Sequence, residues 1–373
     1  MKKKLSLLVN DLDSGGAERV VSILLNALYT RYDITLFMMH NIIFYDIPKE
    51  IKVVIIGNSK LSDSGIVKLL KLPYLGFLYK NLNKNSPTSI SFLSRSNYIN
   101  IFAKLFGMRG RVIVGERAMP SLQYKHGLYG KINKFLMKTL YPKADLVFAN
   151  SKGNAIDLEK NFNIRDVEVI YNPFDIAKIR ELSREEAKLK KGFNLITVGR
   201  LDDGKNHQLL INAIKDIDAN LYIIGDGVLR KNLSNQIKEL GLEERVFLLG
   251  KQKNPYKYIS KADAFVFASN REGFPNVLIE ALSCELPVIS TDCQSGPREI
   301  LAPNTDVFFQ LKKKIELAEF GILTPINNID KMREAINIII NNKKLRDSYT
   351  EKSLKRAMEF DKDKIIDDFI NIF

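Results

Sequence analysis

AFVFASNREGFPNVLIEAL, residues 264–282, reads as an apolar strand, a glycine loop and an amphipathic helix in succession. Ala264 to Ala268 is short and apolar enough for a buried strand, Gly273 lets the backbone turn sharply, and Pro275 suits the first turn of a helix. The loop therefore opens onto a helix start, where unpaired N–H groups and the positive end of the helix dipole favour a phosphate. Two carboxylates flank that point. Glu280 shares a helix face with Asn276, at i and i+4, and can accept hydrogen bonds from a ribose hydroxyl pair, while Glu272 in the loop can meet a sugar beyond the phosphates.

The same alternation runs from end to end, which predicts an α/β protein with parallel sheets built from right-handed crossovers. In the first half the strand candidates are LSLLV (5–9), ITLFMM (34–39), KVVII (52–56), SISFL (89–93), VIVG (112–115) and DLVFAN (145–150), with VEVIYNPFD (167–175) ending the half. NLITVG (194–199), NLYIIG (220–225), VFLLG (246–250), DAFVFAS (263–269) and PVIST (287–291) repeat the pattern in the second. A chain of 373 residues, 45% of them hydrophobic, is long enough for two cores. The charged stretch ELSREEAKLKKG (181–192) has linker polarity, so the expected division is a first domain over 1–185 and a second over 186–350. An amphipathic segment, 351–373, is expected to pack back on the first domain.

Cys284 and Cys293 are the only cysteines, no signal peptide is evident, and no apolar run approaches the roughly 18 residues of a spanning helix. These features fit the cytoplasm. The net charge of +14 is concentrated: residues 61–143 hold fourteen Lys or Arg against Asp63 and Glu116, and 14 minus 2 gives +12. Apolar residues interleave with the cations in IVKLLKLPYLGFLYKNLNK (66–84) and LYGKINKFLMKTLYP (128–142). In the latter, Leu128, Ile132, Phe135 and Leu136 fall on one helical face and Lys131, Lys134 and Lys138 on another. Such faces often only cover a core. Concentrated in one half of the chain, they also suit an anionic membrane surface, which attracts each nearby cation by about 1 kcal/mol.

Ligands of open parallel sheets bind beyond the carboxyl ends of the strands, and four loops there carry chemistry. Gly15 and Gly16 follow the first strand and permit close approach to a diphosphate, or simply form a tight turn. Asp11 and Asp13 form a DxD, but no partner carboxylate points to a metal, and Asp13 or Ser14 is expected to cap the next helix. Arg200 and Lys205 lie past a strand across a glycine turn, two cations able to neutralise a departing nucleotide diphosphate without a metal. Gly225-Asp226-Gly227 is a poor match to a dinucleotide fingerprint, because the third glycine is absent. Gly296 and Pro297 before Glu299 offer amides to a sugar or phosphate, or form a plain turn; Cys293 beside them has no nearby histidine and is not a nucleophile candidate.

Taken together, SGGAE (14–18), VGRLDDGKN (198–206), GDGVLR (225–230), EGFPNVLIE (272–280) and SGPREI (295–300) resemble the motif series of the family 4 retaining glycosyltransferases with the GT-B fold. That resemblance covers nearly the whole chain. It implies two Rossmann-like, doubly wound parallel-sheet domains facing across a cleft, and transfer from a nucleoside-diphosphate sugar with retention of configuration. By the same resemblance Arg200 and Lys205 hold the diphosphate, Glu280 the ribose and Glu272 the transferred sugar, so that Arg200, Lys205 and Glu272 form the catalytic set. Gly15 and Gly16 meet the diphosphate from the other domain. Gly273, Phe274, Asn276 and Val277 line the donor loop, and backbone near Lys251 and Asn254 meets the base. NPYKYI (254–259), YPKADLVFANSKGN (141–154) and the basic stretch 66–84 are similar to bacterial N-acetylgalactosaminyltransferases that extend undecaprenyl-diphosphate-linked oligosaccharides in N-glycosylation. Many family members carry a histidine in the first domain where this chain reads VGERAMP, so Glu116 and Arg117, with Lys68, Lys71 and Lys80, are the candidates for the acceptor and its lipid diphosphate.

The implied enzyme moves a hexosamine, N-acetylgalactosamine first, from UDP to an undecaprenyl-diphosphate-linked saccharide on the inner face of the cell membrane, with no cofactor and no metal. Other sugars (N-acetylglucosamine, glucose, galactose) in O-antigen or capsule synthesis are the alternative. A UDP-sugar epimerase of the same fold needs no lipid-binding surface, a nucleic-acid binder leaves Glu272 and Glu280 without a purpose, and a nicotinamide dehydrogenase lacks its fingerprint.

Overall fold

Near-continuous apolar runs are what parallel strands covered on both faces require, and those runs form the sheets. The computed structural model describes residues 2–57 and 63–373. It divides into two units, Met1–Phe174 with Lys362–Phe373, and Asp175–Asp361. The second unit thus starts ahead of the expected boundary near 185. Asp175 caps the helix Ile176–Ser183 through a bond from Lys178 N (3.0 Å), and Arg180 of that helix pairs with Glu285 at 2.7 Å, which ties the segment into the second unit.

Among the described residues the first unit holds β1 (Lys3–Val9), β2 (Tyr32–Met38), β3 (Lys52–Ile55), β4 (Thr88–Phe92), β5 (Arg111–Glu116), β6 (Leu146–Ala149) and β7 (Glu168–Val169). They form one parallel sheet in the order β3-β2-β1-β4-β5-β6-β7. The winding direction reverses between β1 and β4. The expected tail 351–373 is split: residues through Asp361 belong to the second unit, and helix Lys362–Asn371 lies in the first. There Phe369 packs edge-on against Phe148 at 5.5 Å and beside Phe92, while Arg111 donates to the Ile372 carbonyl at 2.7 Å.

The second unit repeats the plan with β8 (Asn194–Val198), β9 (Asn220–Ile224), β10 (Val246–Gly250), β11 (Ala264–Phe267), β12 (Val288–Thr291), β13 (Glu316–Ala318) and β14 (Gly321–Thr324). Their order is β10-β9-β8-β11-β12-β14-β13, parallel except for the β13–β14 hairpin at the edge, which sequence patterning misses. The reversal here falls between β8 and β11, paired through Ala264 to Leu195 and Phe265 to Ile196. A crevice beyond the carboxyl ends of those two strands is where such a sheet binds its ligand.

Candidate active site

Beyond β8 and β11, the residues read from the two best motifs meet. Lys205 Nζ lies 2.6 Å from Glu272 Oε1, and both side chains are largely withdrawn from water. The ammonium also sits 5.3 Å from the centre of the Phe267 ring, which turns a partly desolvated cation toward a π face. Ser269 is the residue that motif reading overlooks: its hydroxyl is 2.5 Å from Glu272 Oε1 and 3.1 Å from the Gly204 carbonyl, with one proton to give. Asp202 fixes the turn by accepting from Lys205 N at 3.1 Å. Glu272 Oε1 is thus spent on Lys205 and Ser269. Oε2 has no such partner among the described residues and can accept from a sugar hydroxyl.

The loop after β12 completes the surface. Ser295 donates to the Gly273 carbonyl at 2.6 Å, and a Cβ on Gly296, whose φ is +94°, would fall 2.2 Å from Pro275 Cδ. That glycine is there for close packing. Pro275 precedes helix Asn276–Ser283 as its N-cap residue rather than lying in its first turn. Glu280 on that helix is buried, 2% exposed, Phe274 is buried, and Gly273, Asn276 and Val277 are half-buried around the helix start. Arg200 stands apart from the Lys205 cluster, its side chain 81% exposed and paired with Asp202 at 3.3 Å. Lys251 is exposed, and Asn254 holds its own loop by donating to the Leu182 carbonyl (2.8 Å) and accepting from Tyr256 N (3.1 Å).

Gly225 and Gly227 serve backbone proximity. A Cβ on Gly225 (φ +138°) would lie 2.0 Å from the Gly199 carbonyl oxygen, and one on Gly227 2.5 Å from that of Leu201. The GDG run therefore lets the β9 loop support the β8 loop that carries Arg200 and Lys205. Burial pushes the Cys293 thiol well above its ordinary value, the opposite of what a nucleophile needs.

Next to Lys205, His207 is 3% exposed, and its Nδ1 has no hydrogen-bond partner among the described residues. Burial first, then the Lys205 charge, lowers its pKa from 6.5 to about 4. Between those values the unfolded chain binds the extra proton, so the contribution of neutral His207 is full above about pH 6.5 and drains away as pH falls toward 4. Acidification from pH 7 to 5 is expected to cost about 2 kcal/mol through this group. Urea unfolding of His207→Gln should show a correspondingly flatter pH dependence; an unchanged slope refutes the assignment.

In the first unit, helix Gly16–Leu28 starts at Gly15 with no side-chain cap, so neither Asp13 nor Ser14 caps it. Asp13 accepts from Ser14 N instead, and the Glu18 carboxylate fills the place of a Gly15 side chain. Glu116 and Arg117, at the end of β5, are buried rather than presented at the surface. Glu116 accepts from Tyr141 Oη (2.7 Å), Ser94 Oγ (3.1 Å) and Arg117 N (3.0 Å), and burial raises its pKa against the pull of those bonds. Arg117 lies against the Phe92 and Phe148 rings and donates to Asn172 Oδ1 at 3.0 Å; its Nε and Nη2 have no partner among the described residues. Burial lowers its pKa to about 9.

The basic stretch forms two helices, Gly65–Leu70 and Leu72–Leu82, broken at Lys71 ahead of Pro73. Lys68, Lys71 and Lys80 are half-buried on them, and Lys71 pairs with Asp63 at 2.6 Å. Helix Gly127–Leu140 buries Gly130, Asn133, Met137 and Leu140, not the apolar face read from its sequence. Leu128 and Phe135 instead face solvent, as do Leu70, Tyr74 and Phe77. The Tyr129 ring rests on Gly65 and brings the two surfaces together. No helix among the described residues is long and apolar enough to cross a membrane.

Comparison with known proteins agrees with this architecture. The sequence profile of Glycosyl transferases group 1 matches residues 178–356, and that of Glycosyltransferase Family 4 matches 14–178. The chain is 43% identical to the Campylobacter jejuni N-acetylgalactosamine-N,N'-diacetylbacillosaminyl-diphospho-undecaprenol 4-alpha-N-acetylgalactosaminyltransferase, covering 98% of each chain. It is 26% identical, over 99% of its length and 98% of the relative, to the same organism's GalNAc-alpha-(1->4)-GalNAc-alpha-(1->3)-diNAcBac-PP-undecaprenol alpha-1,4-N-acetyl-D-galactosaminyltransferase. The crystal structure of Anabaena HepE in complex with UDP superposes with a TM-score of 0.77 at 19% identity, covering 99% of both chains, a likeness of fold. With both halves matched and a relative aligned from end to end, the chain belongs to glycosyltransferase family 4 and is a hexosyltransferase of the GT-B fold.

Proposed function

We propose that the enzyme transfers N-acetylgalactosamine from a UDP donor to an undecaprenyl-diphosphate-linked glycan, with retention of configuration, on the cytoplasmic face of a membrane. One observation carries the acceptor and sugar: the 43% identity, over 98% of both chains, to a relative whose name states that transfer. The UDP bound in the HepE structure supports the donor class. In this reading Lys205, with the exposed Arg200, takes the charge of the leaving diphosphate, so that no metal or other cofactor is needed. Glu280 accepts from the ribose, and Glu272 reads the sugar through Oε2. Lys251 and Asn254 border the base.

The acceptor belongs to the first unit. Lys68, Lys71 and Lys80 meet its diphosphate and the anionic headgroups, and the exposed apolar side chains beside them rest in the bilayer interface. Arg117 has donors to give to an anionic or hydroxyl group, with Glu116 bonding its backbone N–H. The test is a panel of UDP-sugars against synthetic undecaprenyl-diphosphate glycans, read by mass spectrometry, with the anomeric configuration of the product set by NMR. Addition of one N-acetylhexosamine from UDP-N-acetylgalactosamine in α linkage is expected. Preference for UDP-glucose or UDP-galactose, or epimerised sugar without acceptor, overturns the reading.

A further inference from the structure

Arg117 directly follows β5, at the carboxyl end of the first sheet, and is 8% exposed. One nitrogen of its guanidinium is engaged, Nη1 donating to Asn172 Oδ1 at 3.0 Å. The other two are not: Nε and Nη2, both buried, have no hydrogen-bond partner among the described residues. These two nitrogens carry parallel N–H bonds on one edge of the planar group, the fork that receives two oxygens of a carboxylate or phosphate. Burying a guanidinium with that fork unmet is costly, and the rings it packs on, Phe92 and Phe148 with centroids 5.0 and 5.6 Å from Cζ, cannot accept both bonds.

Glu116 does not fill the fork. Successive strand residues point to opposite faces, and Glu116 bonds Tyr141 of one core while Arg117 lies against Phe92 and Phe148 of the other. The Glu116 carboxylate is occupied by Tyr141 Oη (2.7 Å), Ser94 Oγ (3.1 Å) and the backbone N–H of Arg117 itself (3.0 Å). Those donors are held in turn, Ser94 Oγ accepting from Tyr124 Oη at 3.0 Å and Tyr141 Oη from Asn97 Nδ2 at 2.9 Å. Asn150 Nδ2 donates to the Arg117 carbonyl at 3.3 Å. The main chain carrying Arg117 is thus fixed on both sides while two of its side-chain donors stay unmet.

A hydroxyl or a carbonyl brings one oxygen and would satisfy half of the fork. A phosphoryl group brings two, together with negative charge. Ligands of an open parallel sheet bind beyond the carboxyl ends of its strands, which is where β5 delivers this residue. We infer that Arg117 is a phosphoryl receptor, its Nε and Nη2 taking two oxygens of one phosphate of a diphosphate substrate while Asn172 holds the plane of the guanidinium. The inference rests on the proposed reaction, in which donor and acceptor both carry a diphosphate, and it assigns Arg117 a phosphate rather than a sugar hydroxyl. Because the fork is buried, engagement includes a local movement of the side chain.

Titration calorimetry of the full chain with UDP and, separately, with geranyl diphosphate distinguishes the two sources of phosphate. Arg117→Met keeps the bulk beside the rings and leaves the bonds from Tyr141 and Ser94 to Glu116 in place, so its melting temperature should hold or rise. Its affinity for one of the two probes should fall by roughly tenfold or more, for geranyl diphosphate where the acceptor supplies the phosphate and for UDP where the donor does. Arg117→Lys keeps the charge and loses the fork; it should show nearly the same loss, and carries the test alone if the Met variant does not fold. Unchanged affinity for both probes overturns the inference, as does full binding by Arg117→Lys or a parent chain that binds neither probe. If UDP-N-acetylgalactosamine proves not to be a donor while either affinity still depends on Arg117, the proposed sugar transfer falls and this inference stands.

Discussion

Lys205→Ala is expected to lower turnover at saturating donor by about a hundredfold to a thousandfold, the loss typical of removing one stabiliser of transition-state charge. The geometry explains why a single ammonium matters so much. Lys205 is partly withdrawn from water and is held in position by Glu272 at 2.6 Å and by the Phe267 ring. In the proposed reaction negative charge grows on the diphosphate as the sugar–phosphate bond lengthens, and a cation already in place would respond without reorganising. The effect should therefore fall mainly on kcat, with the donor KM changing less. Lys205→Arg should recover part of the rate, because it keeps the charge but not the compact donor geometry. Steady-state kinetics with UDP-N-acetylgalactosamine checks this, and normal turnover of Lys205→Ala would remove Lys205 from the mechanism.

Arg298→Met is expected to destabilise the second unit by about 3–5 kcal/mol, the cost of leaving a buried carboxylate without its partner. Asp292 and Arg298 are 1% and 4% exposed at the side chain and are joined by two bonds, with Glu316 as a second carboxylate. For a unit of this size that loss corresponds to roughly 10 °C in the melting transition, measurable by calorimetry. Adding Asp292→Asn should restore a good part of it by removing the stranded charge. A shift under about 2 °C would mean that relaxation or water satisfies Asp292.

The strands were legible wherever burial on both faces demands an unbroken apolar run, as in LSLLV and AFVFA. The β13–β14 hairpin escaped that logic. It is an edge pair of three and four residues, and its outer strand alternates too briefly to register. The unit boundary was misplaced because polarity marked the exposed stretch after helix Ile176–Ser183, whereas the helix itself is tied into the second unit through Arg180 and Glu285. Within the site, spacing identified Lys205 and Glu272 separately. Their meeting across 67 residues depends on β8 lying beside β11, a neighbour relation that no local pattern encodes. Periodicity likewise found the apolar stripe of helix Gly127–Leu140 but not which way it turns: Leu128 and Phe135 face solvent, and Gly130 and Asn133 face inward with Met137 and Leu140.

The return of residues 362–373 to the first unit also sets an order of events during synthesis. Ile365, Ile366, Phe369 and Ile372 are buried in the same core as Leu5, Leu24 and Phe148. A ribosome therefore releases Met1–Phe174 long before the helix that seals that core, and the whole of Asp175–Asp361 emerges in between. The later-made unit can finish folding first, while the core of the earlier one is completed only when residues 362–373 emerge.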